Sequence, residues 1–192
     1  MADLRCFIAV ELPAETKNRI DRQTARLRGL QADVKWVPAE NLHFTIKFLG
    51  GVPEGQVRRI VEILKEAVRG IKPFEIEVAG AGAFPGMRSP RVFWIGAKDS
   101  EARLAGLARQ VEDALERAGF FTPKEQKAFT PHLTIGRCRE RGRTSPLLAE
   151  EMATLGGAAF GKIRLENISL MQSELSPAGA RYSRLALVHF GG

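Results

Sequence analysis

Two cysteines and three histidines in 192 residues leave little material for disulfides or metal ligation. Cys6 and Cys138 are too few and too far apart for a disulfide framework or a CxxC site, so both read as small buried hydrophobes. No apolar run approaches the roughly 18 residues that a membrane-spanning helix requires. The opening Met-Ala-Asp-Leu-Arg-Cys-Phe-Ile-Ala-Val is cut off by Glu11 and lacks a signal-peptide core, so the expected location is the cytoplasm. There is no low-complexity tract, no long Ser/Gly/Pro linker, no G-x-S-x-G elbow and no glycine-rich phosphate loop. What remains is 44% hydrophobic and 27% charged, the balance of an ordinary folded protein. Its length suits one compact domain or two small lobes sharing a core-forming chain.

The net charge is +7, and 20 of the 29 basic residues are arginine. Arginine favours planar, bidentate contact with phosphate, which tilts the expected partner toward a polyanion such as RNA. Strand patterns cover Leu4 to Leu12, Val34 to Val37, Leu42 to Leu49, Phe74 to Ala79, Arg91 to Ala97, Pro131 to Arg137, Lys162 to Ser173 and Tyr182 to Phe190, the last two pairing. Gly50-Gly51 is expected to end the third of these, and Gly80 to Pro90 to form a loop. Helical periodicity marks a helix opening at Pro13, one through Val57, Ile60, Val61, Leu64 and Val68, one from Glu101 to Ala118, and a short one from Pro146 to Leu155. Helices and strands are interspersed along the chain rather than grouped.

One internal echo stands out. His43-Phe44-Thr45-Ile46 recurs as His132-Leu133-Thr134-Ile135, each in an expected strand. From this composition the continuation after a given histidine has a chance on the order of one in a thousand, so the recurrence implies two related halves. Residues i and i+2 of a strand share a face, so His43 stands beside Thr45, and His132 beside Thr134. Phe44, Ile46 and Phe48 then face the core, as do Leu133 and Ile135. Two such strands brought together line a cleft with two imidazoles and two hydroxyls. One imidazole can accept a proton while the other donates one, and the hydroxyls can donate to anionic oxygens, which suits a phosphate diester. Catalytic zinc is the sharper rival, but it wants three ligands, and the third histidine, His189, has no metal-binding spacing, so neither metal nor cofactor is expected.

The paired motifs resemble those of the 2H phosphoesterase superfamily, in its RNA 2′,3′-cyclic phosphodiesterase branch, also called 2′-5′ RNA ligases. The resemblance extends to Arg5-Cys6-Phe7-Ile8-Ala9-Val10, to the block from His43 to Gly50, to Phe84-Pro85 with Pro90-Arg91-Val92-Phe93-Trp94, to Phe129-Thr130-Pro131-His132, and to Leu170 through Tyr182 with Ser173. It spans nearly the whole chain without departure at the four motif positions. It implies an α+β fold of two pseudo-symmetric lobes within one domain over 1–192, each with an antiparallel sheet and flanking helices. It also implies a metal-independent site in the groove between them, with His43 donating a proton to the departing ribose oxygen, His132 activating water, and Thr45 and Thr134 holding phosphate oxygens. The expected reaction is hydrolysis of RNA 2′,3′-cyclic phosphate ends, tRNA fragments among them, to 2′-phosphates by a monomer, with reverse 2′-5′ ligation.

On physical grounds the two histidines are interchangeable. The resemblance makes Arg137 a substrate contact, yet regular parity points it away from His132, so a bulge or strand end must turn it. The run Arg137, Arg139, Arg141, Arg143 could dock an RNA backbone or stay solvated, and Phe7 and Phe48 could stack a base, though parity favours core packing. The alternatives are a non-catalytic RNA-end-binding module and the same chemistry on small cyclic nucleotides.

Overall fold

A computed structural model describes residues 3–30, 32–120, 129–139, 145–177 and 179–191. In chain order it contains β1 (Asp3–Glu11), α1 (Ala14–Gln23), α2 (Ala25–Gly29), β2 (Val34–Trp36), β3 (His43–Pro53), α3 (Val57–Ala67), β4 (Phe74–Phe84), β5 (Val92–Lys98), α4 (Arg103–Arg117), β6 (His132–Cys138), α5 (Pro146–Thr154), β7 (Ala159–Leu165), β8 (Asn167–Ser176) and β9 (Gly179–His189). The pairings are antiparallel, in the order β7-β4-β5-β6-β3-β1-β8-β9, with β2 added to β6. The fold is α+β, as expected.

The sheet divides into two lobes, β7-β4-β5-β6 with β2 beside β6, and β3-β1-β8-β9, which meet in one rung, Phe44 opposite Leu133. The helices exchange between lobes. α1 follows β1 yet packs on β7, while α4 follows β5 yet packs on α3 and β3. The core lies between sheet and helices, where Phe44, Leu133, Phe93, Ile95, Leu64 and Leu115 are fully enclosed. Burying each of these side chains contributes about 1.5–3 kcal/mol.

Several boundaries differ from the sequence reading. The helix opened at Pro13 breaks at Thr24, whose hydroxyl donates to the Ile20 carbonyl at 2.8 Å and leaves α2 as a short second piece. Gly50 does not end β3; it takes a φ of +75°, which glycine alone adopts without strain, and pairing continues to Pro53. Gly80 to Phe84 is strand, not loop. Gly82 is needed there because a Cβ would stand 2.5 Å from the Trp94 ring packed across it. The stretch from Lys162 to Ser173 is two strands, since the chain at Glu166 passes from one end of the sheet toward the other. The β8–β9 pairing stands, with Ser173 opposite Tyr182. Both cysteines are free. Cys6 is buried as expected and Cys138 only partly so, and burial pushes both thiols up, leaving neither activated as a nucleophile.

Candidate active site

The two His-x-Thr stretches lie at the seam between the lobes. Carried one step either side of the Phe44–Leu133 rung, the antiparallel register sets His43 across from Thr134 and Thr45 across from His132. Phe44 and Leu133 are fully buried on the helix side, so strand alternation directs all four polar side chains to the other face.

Each imidazole is oriented in the same way. Nδ1 of His43 lies 2.7 Å from the Asn41 carbonyl oxygen, and Nδ1 of His132 lies 2.7 Å from that of Thr130. A carbonyl can only accept, so Nδ1 carries the proton in both rings and Nε2 is offered to the cleft. Nε2 of His43 is 3.1 Å from the Thr45 hydroxyl. Aromatic rings wall both sides. His132 meets Phe84 edge-on at 5.0 Å, with Phe84 resting on Trp94 at 5.4 Å, whereas His43 lies 4.9 Å from Phe7 and 5.2 Å edge-on from Tyr182.

The surroundings of the two histidines are otherwise unequal. Burial pushes the His43 imidazole below its ordinary value, the cations of Lys17 and Arg137 push it the same way, and the bond to Asn41 and the charge of Glu11 oppose them. Glu11 sits directly across β1–β3 from His43 and is itself held by Arg184 at 3.2 Å and by the Ser169 hydroxyl.

A duplicated β-bulge determines which further side chains reach this cleft. Ile8 pairs with Lys47 and Ala9 with Thr45, which makes Ile46 the extra residue; Phe93 pairs with Gly136 and Trp94 with Thr134, which makes Ile135 the extra residue. An extra residue reverses the alternation beyond it. On β3, Lys47 therefore turns inward to an ion pair with Glu112 of α4, and Phe48 turns out. The parity expectation that Phe48 belongs to the core fails for this reason, and its side is 46% exposed beside Phe7, ring centroids 6.2 Å apart. Phe7 is buried as expected, but in a small separate cluster with Ala9, Met171 and Tyr182. On β6, Gly136 turns inward against Trp36, and Arg137 turns out, close enough to act on His43.

The five site residues singled out in the sequence thus share one face of the sheet at the seam between the lobes. Arg139 faces Asp33 at 3.9 Å at an exposed position, and Arg141 and Arg143 lie outside the described residues. His189, opposite Asn167 near the end of β9, takes no part. Sequence reasoning missed Asn41, whose carbonyl holds His43 and whose side-chain amide donates to the Ala180 carbonyl at 3.0 Å, tying the β8–β9 hairpin to the site. The recurring signal was there, a carbonyl two residues before each histidine, but backbone groups leave no mark in composition. Lys17 and Tyr182 were also given no role, because they arrive from other elements.

The sequence profile of the LigT-like phosphoesterases matches the chain twice in succession, over residues 10–94 and 95–182, with one His-x-Thr stretch in each. The chain belongs to that family. Among similar proteins, the RNA 2′,3′-cyclic phosphodiesterase of Methanothermobacter thermautotrophicus is 38% identical over 94% of this chain and 95% of its own length. The Aquifex aeolicus protein of the same name is 30% identical over the whole of both chains. A Thermus thermophilus crystal structure superposes with a TM-score of 0.81 at 28% identity, covering 98% of this chain and 99% of that one. Escherichia coli LigT complexed with 3′-AMP superposes with a TM-score of 0.77 at 26% identity, covering 99% of each. Membership of the LigT-like phosphoesterases accords with the resemblance carried by the paired motifs.

Proposed function

We propose that this phosphoesterase hydrolyses RNA 2′,3′-cyclic phosphate ends to 2′-phosphates, with His43 and His132 as its acid–base pair. The observation that carries the reading is the matched pair of imidazoles, each locked through Nδ1 to a backbone carbonyl so that Nε2 faces one cleft. In this scheme His132 takes a proton from water, the water oxygen attacks phosphorus, the bond to the ribose 3′-oxygen breaks, and His43 delivers its proton to that oxygen. Thr45, Thr134 and Arg137 hold the non-bridging oxygens. The acid role asks for a protonated His43, against the direction in which burial pushes that imidazole. A bound phosphate diester adds a negative charge beside Arg137, which acts to raise the His43 imidazole against that push. With an RNA 5′-hydroxyl in place of water, the same proton transfers form a 2′-5′ linkage.

The curated relatives support this reading by their names, and the 3′-AMP held by E. coli LigT supports a site for a ribose phosphate. Both motifs come from one chain, so we take residues 1–192 as one functional unit that acts as a monomer. The test is incubation with an RNA ending in a 2′,3′-cyclic phosphate, followed by identification of the product. A 2′-phosphate end is expected, and His43→Ala and His132→Ala should each lower turnover roughly 10²–10⁴-fold at unchanged melting temperature. Turnover near that of the parent protein in either variant would remove that histidine from the mechanism.

A further inference from the structure

The bulge that turns Arg137 into the cleft has a second consequence on the neighbouring strand. β2 pairs with β6 so that Lys35 stands directly opposite Arg137, with Trp36 opposite Gly136 and Val34 opposite Cys138. Directly paired residues of an antiparallel ladder share a face. Trp36 points to the core, stacked on Phe93 at 5.9 Å, so Lys35 points the other way, onto the same face as Arg137. Its ammonium end also lies against the tip of the β8–β9 hairpin, 3.8 Å from where a Cβ on Gly179 would stand.

Two cations directly opposed on a ladder repel, an arrangement that costs stability unless an anion joins them. One rung further along, Arg139 has Asp33 as counter-charge. Neither Lys35 nor Arg137 has one: among the described residues neither side chain makes an ion pair or hydrogen bond. Arg137 is near enough to His43 to act on it and so belongs with the reacting phosphate. Lys35 lies on its outer flank.

We infer that Lys35 is a specificity-determining residue that binds the phosphodiester on the 5′ side of the terminal nucleoside, so that the site prefers an oligoribonucleotide end to a mononucleoside 2′,3′-cyclic phosphate. The inference rests on the proposed reaction and adds a second phosphate subsite to it. Lysine suits this place, since a point charge on a flexible stem contacts backbone phosphate without reading sequence.

The test compares a short RNA ending in a 2′,3′-cyclic phosphate with a mononucleoside 2′,3′-cyclic phosphate. Lys35→Ala should lower the ratio of their kcat/KM values about tenfold, through KM, and Lys35→Arg should retain most of the ratio. The double-logarithmic salt slope for binding an RNA with a 2′-phosphate end should become shallower by roughly 0.7, one single-strand phosphate contact. An unchanged substrate ratio together with an unchanged salt slope in Lys35→Ala would overturn the inference. Failure of the parent protein to turn over either substrate would count against the proposed reaction, while the binding measurement would still decide the role of Lys35.

Discussion

His43 and His132 begin the same His-x-Thr-Ile motif, yet their settings differ by single residues. The position five beyond His43 is Phe48, whereas five beyond His132 is Arg137, and both are turned out by the same bulge. One half of the site therefore offers an exposed apolar ring and the other a guanidinium, so under the proposed reaction the base of the substrate goes toward Phe48 and its phosphate toward Arg137. Arg137 also helps hold the free His43 below its ordinary imidazole value, after burial itself. An NMR titration should accordingly find His43 losing its proton at lower pH than a model imidazole. Arg137→Met removes a charge that favours the neutral ring, so the His43 midpoint should move up in that variant. A midpoint that stayed put or fell would mean that Arg137 does not face His43.

At the scale of elements, two strands carry the same bulge but secure it by different means. On β3 the inward residue is Lys47, 5% exposed and paired with Glu112; on β6 it is Gly136, over which Trp36 and Val34 close. A Cβ on Gly136 would come within 2.7 Å of the Trp36 ring and 2.8 Å of Val34. Trp36 is itself stacked on Phe93 and has little room to retreat. Gly136→Ala should therefore destabilise the protein by about 1–3 kcal/mol, the usual cost of overpacking, and should weaken turnover further by displacing the adjacent Arg137. Denaturant melts and kinetics on the same preparation check both, and a variant as stable as the parent would show that β2 does not clamp β6.

Across the whole molecule, the two His-x-Thr stretches become neighbours only because two lobes of one chain meet at one rung, with helices exchanged between them. Among the described residues no three histidine, cysteine, aspartate or glutamate side chains gather as a metal site, and no helix is long and apolar enough to cross a membrane. The site's donors are two imidazoles and two hydroxyls, a set suited to proton transfer and hydrogen bonding rather than to three-ligand zinc. Turnover should survive exhaustive chelation with EDTA, and kcat/KM should be bell-shaped in pH. Activity lost in EDTA and restored by added zinc would replace the two-histidine mechanism with a metal one.

The repeated His-x-Thr-Ile by itself determined the catalytic candidates and their shared faces, because period-two alternation is a local property that survives into any strand, and it implied two related halves. It determined likewise that Phe44 and Leu133 would be core, and their burial at the seam is what presses the two motifs together. Only the tertiary structure decided the fate of residues beyond the bulges. An extra residue in one strand is defined by what its partner strand leaves unpaired, so Phe48, Lys47 and Arg137 could not be assigned a face from their own segments. The same holds for Asn41, Lys17 and Lys35, which reach the site from separate elements through a carbonyl, a charge and a ladder position. Spacing along the chain records none of these, since each is a relation between strands or elements.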